Sequence, residues 1–295
     1  MKNTLLFLFA SLLFIGCSND PDDTVQEEQE EQAIEFKIKT FKIDYTDSSE
    51  TTTFSFDENG RKTKTTFNRE DGETSEYQYI YNDDGKFKRM INLYDEGLRI
   101  VWKFDFEYQS DGKISRIGYV ENPENLTIPS TNYEEFMYVD NKIITDNPQF
   151  FYESELTFNQ ENKLILYEVA SHWVSSKVSY EYIGNNLVTI KDLGSMDEAR
   201  TTYTITYDNE LNPLYPDFKN NLDVYLYSLP VALFKVMRNM NHFSENNFTK
   251  IEITSVNGNT QIIEKETLYN EAGYPISAMV STDGILSSKL TYEYY

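Results

Sequence analysis

Cysteine, histidine and tryptophan are almost missing from this chain: its 295 residues hold one Cys, two His and two Trp. A lone Cys17 excludes an internal disulfide framework and a cysteine metal site. His172 and His242 lie far apart, neither has a companion at metal-ligand spacing, and no His-Glu-x-x-His, phosphate loop or nucleophile elbow occurs. The pattern therefore calls for no metal, no cofactor and no catalytic residue, and the expectation is a protein that is not an enzyme. The 49 Asp and Glu do not change this, because carboxylate pairs of the kind that hydrolyse glycosides arise by chance at that abundance. Asp-rich stretches such as Asn82-Asp83-Asp84-Gly85 lack the alternating ligands and closing acid of a calcium loop, and read as turns.

Positive charge is scarce too. With 26 Lys and Arg the net charge is −23. Residues 17–35 hold eight acids and no base, and Lys2 sits in the leader, so residues 36–295 carry −16. A body that acidic repels phosphate backbones, whose ligands use Lys and Arg to displace counterions, so nucleic acid and anionic lipid are excluded as partners. No apolar run reaches the roughly 20 residues of a transmembrane helix.

What is present begins with residues 1–16, a signal peptide: Lys2, an apolar run from Leu5 to Ile15, then Gly16 before Cys17. Leu13-Phe14-Ile15-Gly16-Cys17 resembles a lipobox, the motif at which the cysteine is diacylated before cleavage. Lipidation at Cys17 would make it the mature N-terminus and anchor the protein to a membrane. Residues 17–34, acidic and without an aromatic or a base, read as a disordered tether. Acids just behind the cysteine look like the export signal that sends Bacteroidota lipoproteins to the outer leaflet. Asp23-Thr24-Val25 is similar to the O-glycan attachment site of those bacteria, which makes Thr24 the candidate acceptor. The expected location is the outer membrane, lipid-anchored and surface-exposed.

Residues 35–295 form the third segment, a single domain built from one recurring phrase. Two aromatic or apolar residues at i, i+2 precede a turn and then often a base, as in Phe54-Ser55-Phe56-Asp57-Glu58-Asn59-Gly60-Arg61. Tyr79-Ile80-Tyr81-Asn82-Asp83-Asp84-Gly85-Lys86 and Phe106-Glu107-Tyr108-Gln109-Ser110-Asp111-Gly112-Lys113 repeat it, and later copies decay as Asn replaces Gly or the turn shortens. Aromatics two apart share one strand face, and Asp or Asn early with Gly late suits a type I turn closed by a left-handed residue. Each phrase thus predicts a hairpin. Steps of 25 and 27 residues between Gly60, Gly85 and Gly112 fit two strands and two turns, and eight or nine units give about sixteen to eighteen antiparallel strands.

So long a meander must curl, since twisted open sheets rarely exceed about ten strands. The fold expected is all-β, a large antiparallel meander of repeated hairpins curled into a barrel-like or half-barrel sheet. The aromatic stripe goes inward, and the alternate stripe, Lys62 and Lys64 or Glu107 and Gln109, is polar and ill suited to lipid. The pattern stops between Asn212 and Thr249. There Ser228 and Pro230 open an apolar-faced helix near residues 229–240, read either as a core plug or as a lid.

The lipobox, the Phe/Tyr-x-Phe/Tyr-Asp/Asn-x-x-Gly-Lys/Arg phrase and the Asn212-Pro213 interruption followed by Asn246-Asn247-Phe248-Thr249-Lys250-Ile251 together resemble Bacteroidota lipoproteins of a domain of unknown function described as having a porin-like fold. More distantly, the phrase is similar to the Tyr-Asp repeats of Rhs-type shells. The resemblance implies fold and location and carries no catalytic residue. Trp102 and the pair His172-Trp173 are the candidate ligand contacts, able to stack on sugar rings where exposed. The functional expectation is a non-catalytic binding or scaffold module for a glycan or a protein, touching the membrane only through its N-terminal lipid. The alternative is an integral outer-membrane β-barrel, suggested by the strand count and by the aromatic end Tyr292-Glu293-Tyr294-Tyr295.

Overall fold

The computed structural model describes residues 37–94, 97, 99–147, 152–171, 175–194, 197–220 and 242–295. The first strands are β1 (Ile38–Tyr45), β2 (Thr51–Phe56), β3 (Lys62–Asn68), β4 (Thr74–Tyr81), β5 (Phe87–Tyr94) and β6 (Arg99–Tyr108). They are followed by β7 (Ile114–Glu121), β8 (Asn132–Val139), β9 (Lys142–Asn147), β10 (Tyr152–Phe158), β11 (Leu164–Ser171) and β12 (Ser175–Ile183). Then come β13 (Asn186–Leu193), β14 (Ala199–Leu211), the helix α1 (Tyr215–Asn220), β15 (Asn246–Ser255), β16 (Thr260–Tyr269), β17 (Pro275–Thr282) and β18 (Ile285–Tyr294). All eighteen strands pair antiparallel with their neighbours in sequence, and β1 also pairs with β18, so the meander closes into a barrel.

The phrase turns gather at one end of this barrel. In the copies that start at Asp57, Asn82, Gln109, Asn159 and Asn270, the first turn residue binds the chain across the hairpin, as Asp57 N–H does to the Arg61 carbonyl and Gly60 N–H to the Asp57 carbonyl. The Asp57 carboxylate also accepts the N–H groups of Asn59 and Arg61, both at 2.9 Å. Asn159 and Asn270 repeat this with their side-chain oxygens. The turn acids are thus consumed by backbone donors. Gly60, Gly85 and Gly112 sit at φ of 76°, 84° and 88°, with Asn162 at 58° in a copy that lost its Gly. The pairing register slips at the aromatic before each of these turns, at Phe56, Tyr81 and Tyr108, as bulges of this hairpin class require.

That slip corrects one expectation. Lys62 does not share the outer stripe with Lys64: it faces inward, 7% exposed, with its ammonium 4.7 Å from the centre of the Tyr79 ring. One extra residue in the bulged strand reverses the side-chain alternation beyond it.

Neighbouring hairpins are clasped together by the same residues that make the phrase visible. The base after one turn lies over the last tyrosine of the next unit: Arg61 over Tyr81 at 4.7 Å, Lys86 over Tyr108 at 5.2 Å, Lys113 over Tyr138 at 4.9 Å. The tyrosine hydroxyl answers by donating to the carbonyl one residue past that base, Tyr81 to Lys62 at 2.6 Å and Tyr108 to Phe87 at 2.8 Å. Tyr294 makes the equivalent bond to Pro275, at 2.8 Å.

Inward positions of the alternation are apolar. Phe41, Phe54, Phe56, Leu290 and Tyr292 form one buried cluster, and a larger one runs from Phe87 to Ile263. Outward positions carry cross-strand ion pairs: Lys64 with Glu76, Arg89 with Asp105, Arg116 with Glu107, Lys142 with Glu155, Lys177 with Glu168 and Lys191 with Glu181. This polarity is the reverse of a lipid-facing barrel, which turns an apolar band outward and a polar lumen inward.

The interruption between β14 and β15 folds back into the barrel mouth. Asn212 N–H donates to the Glu245 carbonyl and Leu187 N–H to the Ser244 hydroxyl, while Leu214, wholly buried, joins the cluster around Phe41. The helix expected near residues 229–240 lies outside the described residues. The described helix, α1, stands earlier in the same interruption, and β15 already begins at Asn246.

Two outcomes test this architecture. Tyr81→Phe should cost about 1 kcal/mol by removing one clasp bond, and Gly112→Ala about 1–2 kcal/mol by forcing a side chain into a left-handed backbone, both read as shifts in urea midpoint at constant slope. Burial raises the pKa of Tyr81, Tyr180, Tyr182, Tyr207 and Tyr294 well above the ordinary value. Above about pH 10 the unfolded chain loses phenolic protons that the fold retains, so stability falls as pH rises. A steep alkaline step in tyrosinate absorbance, on top of the gradual ionisation of exposed tyrosines, should therefore coincide with the loss of β-sheet circular dichroism; full tyrosine ionisation with the sheet intact would contradict this.

Candidate functional site

A cavity of about 390 Å³ opens at the phrase-turn end, between the barrel wall and the interruption. Its wall side comes from β11, β12 and β13 through Leu164, Tyr180, Tyr182, Leu187 and Ile190. Tyr180 and Tyr182 are two apart on β12, so both point inward, and Tyr180 stands one rung deeper. The facing side comes from the interruption: Tyr215 and Phe218 of α1, and Phe243, whose ring meets Phe218 edge-on at 4.7 Å. Its size lies within the range of small-molecule sites.

The local sequence explains why the interruption docks here. The β12–β13 turn is a decayed copy, Gly184-Asn185-Asn186, whose side-chain amides bind the C-terminal end of the interruption and the start of β15. Asn185 Nδ2 donates to the Glu245 carboxylate at 3.0 Å, and Asn186 Nδ2 to Asn246 Oδ1 at 2.8 Å. The Ser244 hydroxyl lies 2.7 Å from the Tyr207 hydroxyl.

Polar groups are few inside the cavity and ionic at its rim. Lys163 pairs with Glu161 at 2.6 Å and lies 5.9 Å from the Tyr182 ring centre, while Lys219 is exposed. Deeper, the Tyr180 hydroxyl is buried and has no hydrogen-bond partner among the described residues, and burial raises its pKa. Elsewhere in the lumen His242 is 1% exposed and edge-on to the Phe54 ring at 5.6 Å. Burial pushes its pKa down to about 3, with the charges of Lys62 and Lys265 adding to the effect. Lys265 is pushed down to about 8 by burial, against the opposing pull of the Asp208 carboxylate, and its ammonium rests over Phe248 at 4.9 Å.

Of the residues singled out from the sequence, Trp102 is described: half-buried on the inward face of β6, stacked on Phe104 at 6.1 Å and near Tyr119 at 6.3 Å. His172 and Trp173, its expected partners in sugar contact, lie outside the described residues, as do Cys17 and Thr24. Among the described residues no group of three or more His, Cys, Asp or Glu could hold a metal ion. Sequence reasoning missed the cavity. Tyr180 and Tyr182 stood out only as a strand phrase, and the one signal of a site was the Asn212-Pro213 break.

Strands β1 to β18 thus form a closed eighteen-stranded antiparallel β-barrel. No protein-family model matches it, and no curated protein matches it in sequence. Solved structures similar to it include a porin-like protein from Bacteroides uniformis ATCC 8492, at 10% identity and a TM-score of 0.36 over 88% of this chain and 96% of that one. A porin-like protein from Bacteroides vulgatus ATCC 8482 aligns at 9% identity and a TM-score of 0.34 over 88% and 99%. The Photorhabdus luminescens Tc holotoxin pore aligns at 12% identity and a TM-score of 0.25, over 81% of this chain and 15% of that one.

The buried imidazole makes acid stability a direct readout of the plug. Below about pH 6.5 the unfolded chain binds a proton that the native ring refuses until about pH 3, so stability falls as pH drops. As pH falls below about 6.5 the His242 contribution to the unfolding free energy should decline with a slope approaching 1.4 kcal/mol per pH unit, roughly the value for one proton, and it is isolated by comparison with a variant lacking the imidazole. His242→Gln should lower the slope by that amount; an unchanged slope would place the imidazole in water.

Proposed function

We propose that this protein is a non-catalytic binding module of the outer-membrane surface, a water-facing barrel tethered through a lipid on Cys17, with the cavity beneath the interruption as its ligand site. The observation that carries the reading is the polarity of the wall. Ion pairs cover the outside while aromatics and the interruption fill the inside, and lipid contact at such charges would cost about 2–4 kcal/mol each at mid-depth. The acidic tether supports display on the outer face, with Thr24 as its O-glycan acceptor.

The site we assign is the cavity rather than Trp102, whose ring packs inward against Phe104 and Tyr119. The aromatic C-terminus, which the integral-barrel reading takes as an assembly signal, serves closure. Tyr292 is 5% exposed within the core, and the Tyr295 hydroxyl donates to the Phe56 carbonyl at 2.6 Å.

Fractionation of cells making the full chain or its Cys17→Ser variant tests the tether. The wild type should sediment with membranes and Cys17→Ser should move to the soluble fraction. Retention of both in the membrane, released only by detergent, would establish the integral barrel instead.

A further inference from the structure

The binding reading above leaves the ligand open, and the order of side chains along the cavity narrows it. On β12 and β13 the lining runs from depth to mouth: Tyr180 opposite Ile190, then Tyr182 opposite Leu187, then the turn at Asn185. The polar lining residues come from the turns and the helix end. Glu161, Asn162 and Lys163 belong to the β10–β11 turn, Asn185 to the β12–β13 turn, and Lys219 to the last turn of α1. Strand rungs thus give the cavity an apolar depth, and turns give it a polar mouth. The charges at that mouth are not equivalent. Lys163 holds Glu161 at 2.6 Å and donates to the Gly184 carbonyl, while Asn185 Nδ2 donates to the Glu245 carboxylate at 3.0 Å. Lys219 is exposed, and its ammonium forms no ion pair or hydrogen bond among the described residues.

We infer that the cavity binds an amphiphilic monocarboxylic acid, with its apolar body among the aromatic and aliphatic walls and its carboxylate at the mouth beside Lys219. This rests on the binding reading given above. Removing the body from water supplies the affinity. The head stays at the wet mouth and so avoids the cost of carrying a carboxylate into an apolar interior. A cationic head would meet Lys219 as a like charge, and a neutral head would forgo the pair. The acidity that excludes phosphate backbones and anionic lipid surfaces acts through many charges at once. A single carboxylate meets only the mouth, because charges more than about 8 Å away are largely screened at physiological salt. Lys219 therefore selects the head, while the walls accept any apolar body that fits.

The test uses residues 18–295, which keep the whole closed barrel, and three probes that share one chain and differ in head charge: decanoate, decanol and decylammonium. Recovery of monodisperse protein without detergent comes first, since failure there strikes the tethered-barrel reading and not the choice of ligand. Calorimetric titration below micelle-forming concentrations then compares the wild type with Lys219→Glu and with Lys289→Glu, which alters an exposed lysine of β18 outside the cavity. The wild type should bind decanoate about fivefold more tightly than decanol, the upper range for an exposed ion pair, and decylammonium least tightly. Lys219→Glu should bring decanoate to or below decanol and strengthen decylammonium, while Lys289→Glu should keep the wild-type order. Because Lys219 is exposed, its variant should unfold at the wild-type urea midpoint. Absence of binding by all three probes to soluble, folded protein overturns the proposal. Equal affinity for the three probes, or an order that survives Lys219→Glu, overturns the carboxylate assignment while leaving the cavity as a binding site.

Discussion

The pairing of β1 with β18 is the contact on which the rest of this molecule depends. An eighteen-stranded meander left open would present two long edges of unpaired N–H and C=O groups and two wet faces. Once Phe41 lies opposite Tyr292 and Ile43 opposite Leu290, the sheet has no edge and acquires an inside. Only then does the alternation along each strand become a separation of aromatics from charges. The last residues seal the joint, with Tyr295 N–H donating to the Lys37 carbonyl at 3.0 Å.

Closure by itself does not set the order of the wall; the clasp between consecutive hairpins contributes that. Each clasp takes its cation from one unit and its tyrosine from the next, so no hairpin is complete alone. Arg61 is held on its own turn by Asp57, at 2.7 Å, while its guanidinium covers Tyr81. Such exposed pairs are individually weak. Repetition around the phrase-turn end gives them their effect on register. Where the phrase decays at Gly184-Asn185-Asn186, the side-chain amides of Asn185 and Asn186 receive Glu245 and Asn246 at the end of the interruption.

The interior is unusual in keeping polar groups that the apolar walls do not need. His242, Lys265 and Lys62 are buried near one another, and burial lowers the pKa of the first two, so the lumen sheds charge at a higher acidity at His242 and a lower alkalinity at Lys265 than exposed residues would. The outer wall carries the cross-strand ion pairs, and the described part of the interruption packs Leu214 into the barrel core.

The repeating phrase, its strand count and its turn chemistry were legible in the sequence because each is local: i, i+2 aromatics, Asx at the turn start and Gly or Asn at the left-handed position are short-range requirements of a hairpin. The acidic balance was legible directly from the composition. Whether the sheet closed was not, because β1 meets β18 across nearly the whole chain. Nor was the inward turn of Lys62, which follows from a register slip that a period of two cannot show. The cavity was hidden most completely, since it joins Tyr180 of a wall strand to Phe218 and Phe243 of the interruption. No spacing rule brings these residues together, so tertiary packing alone decided that the barrel wall and the interruption enclose a cavity.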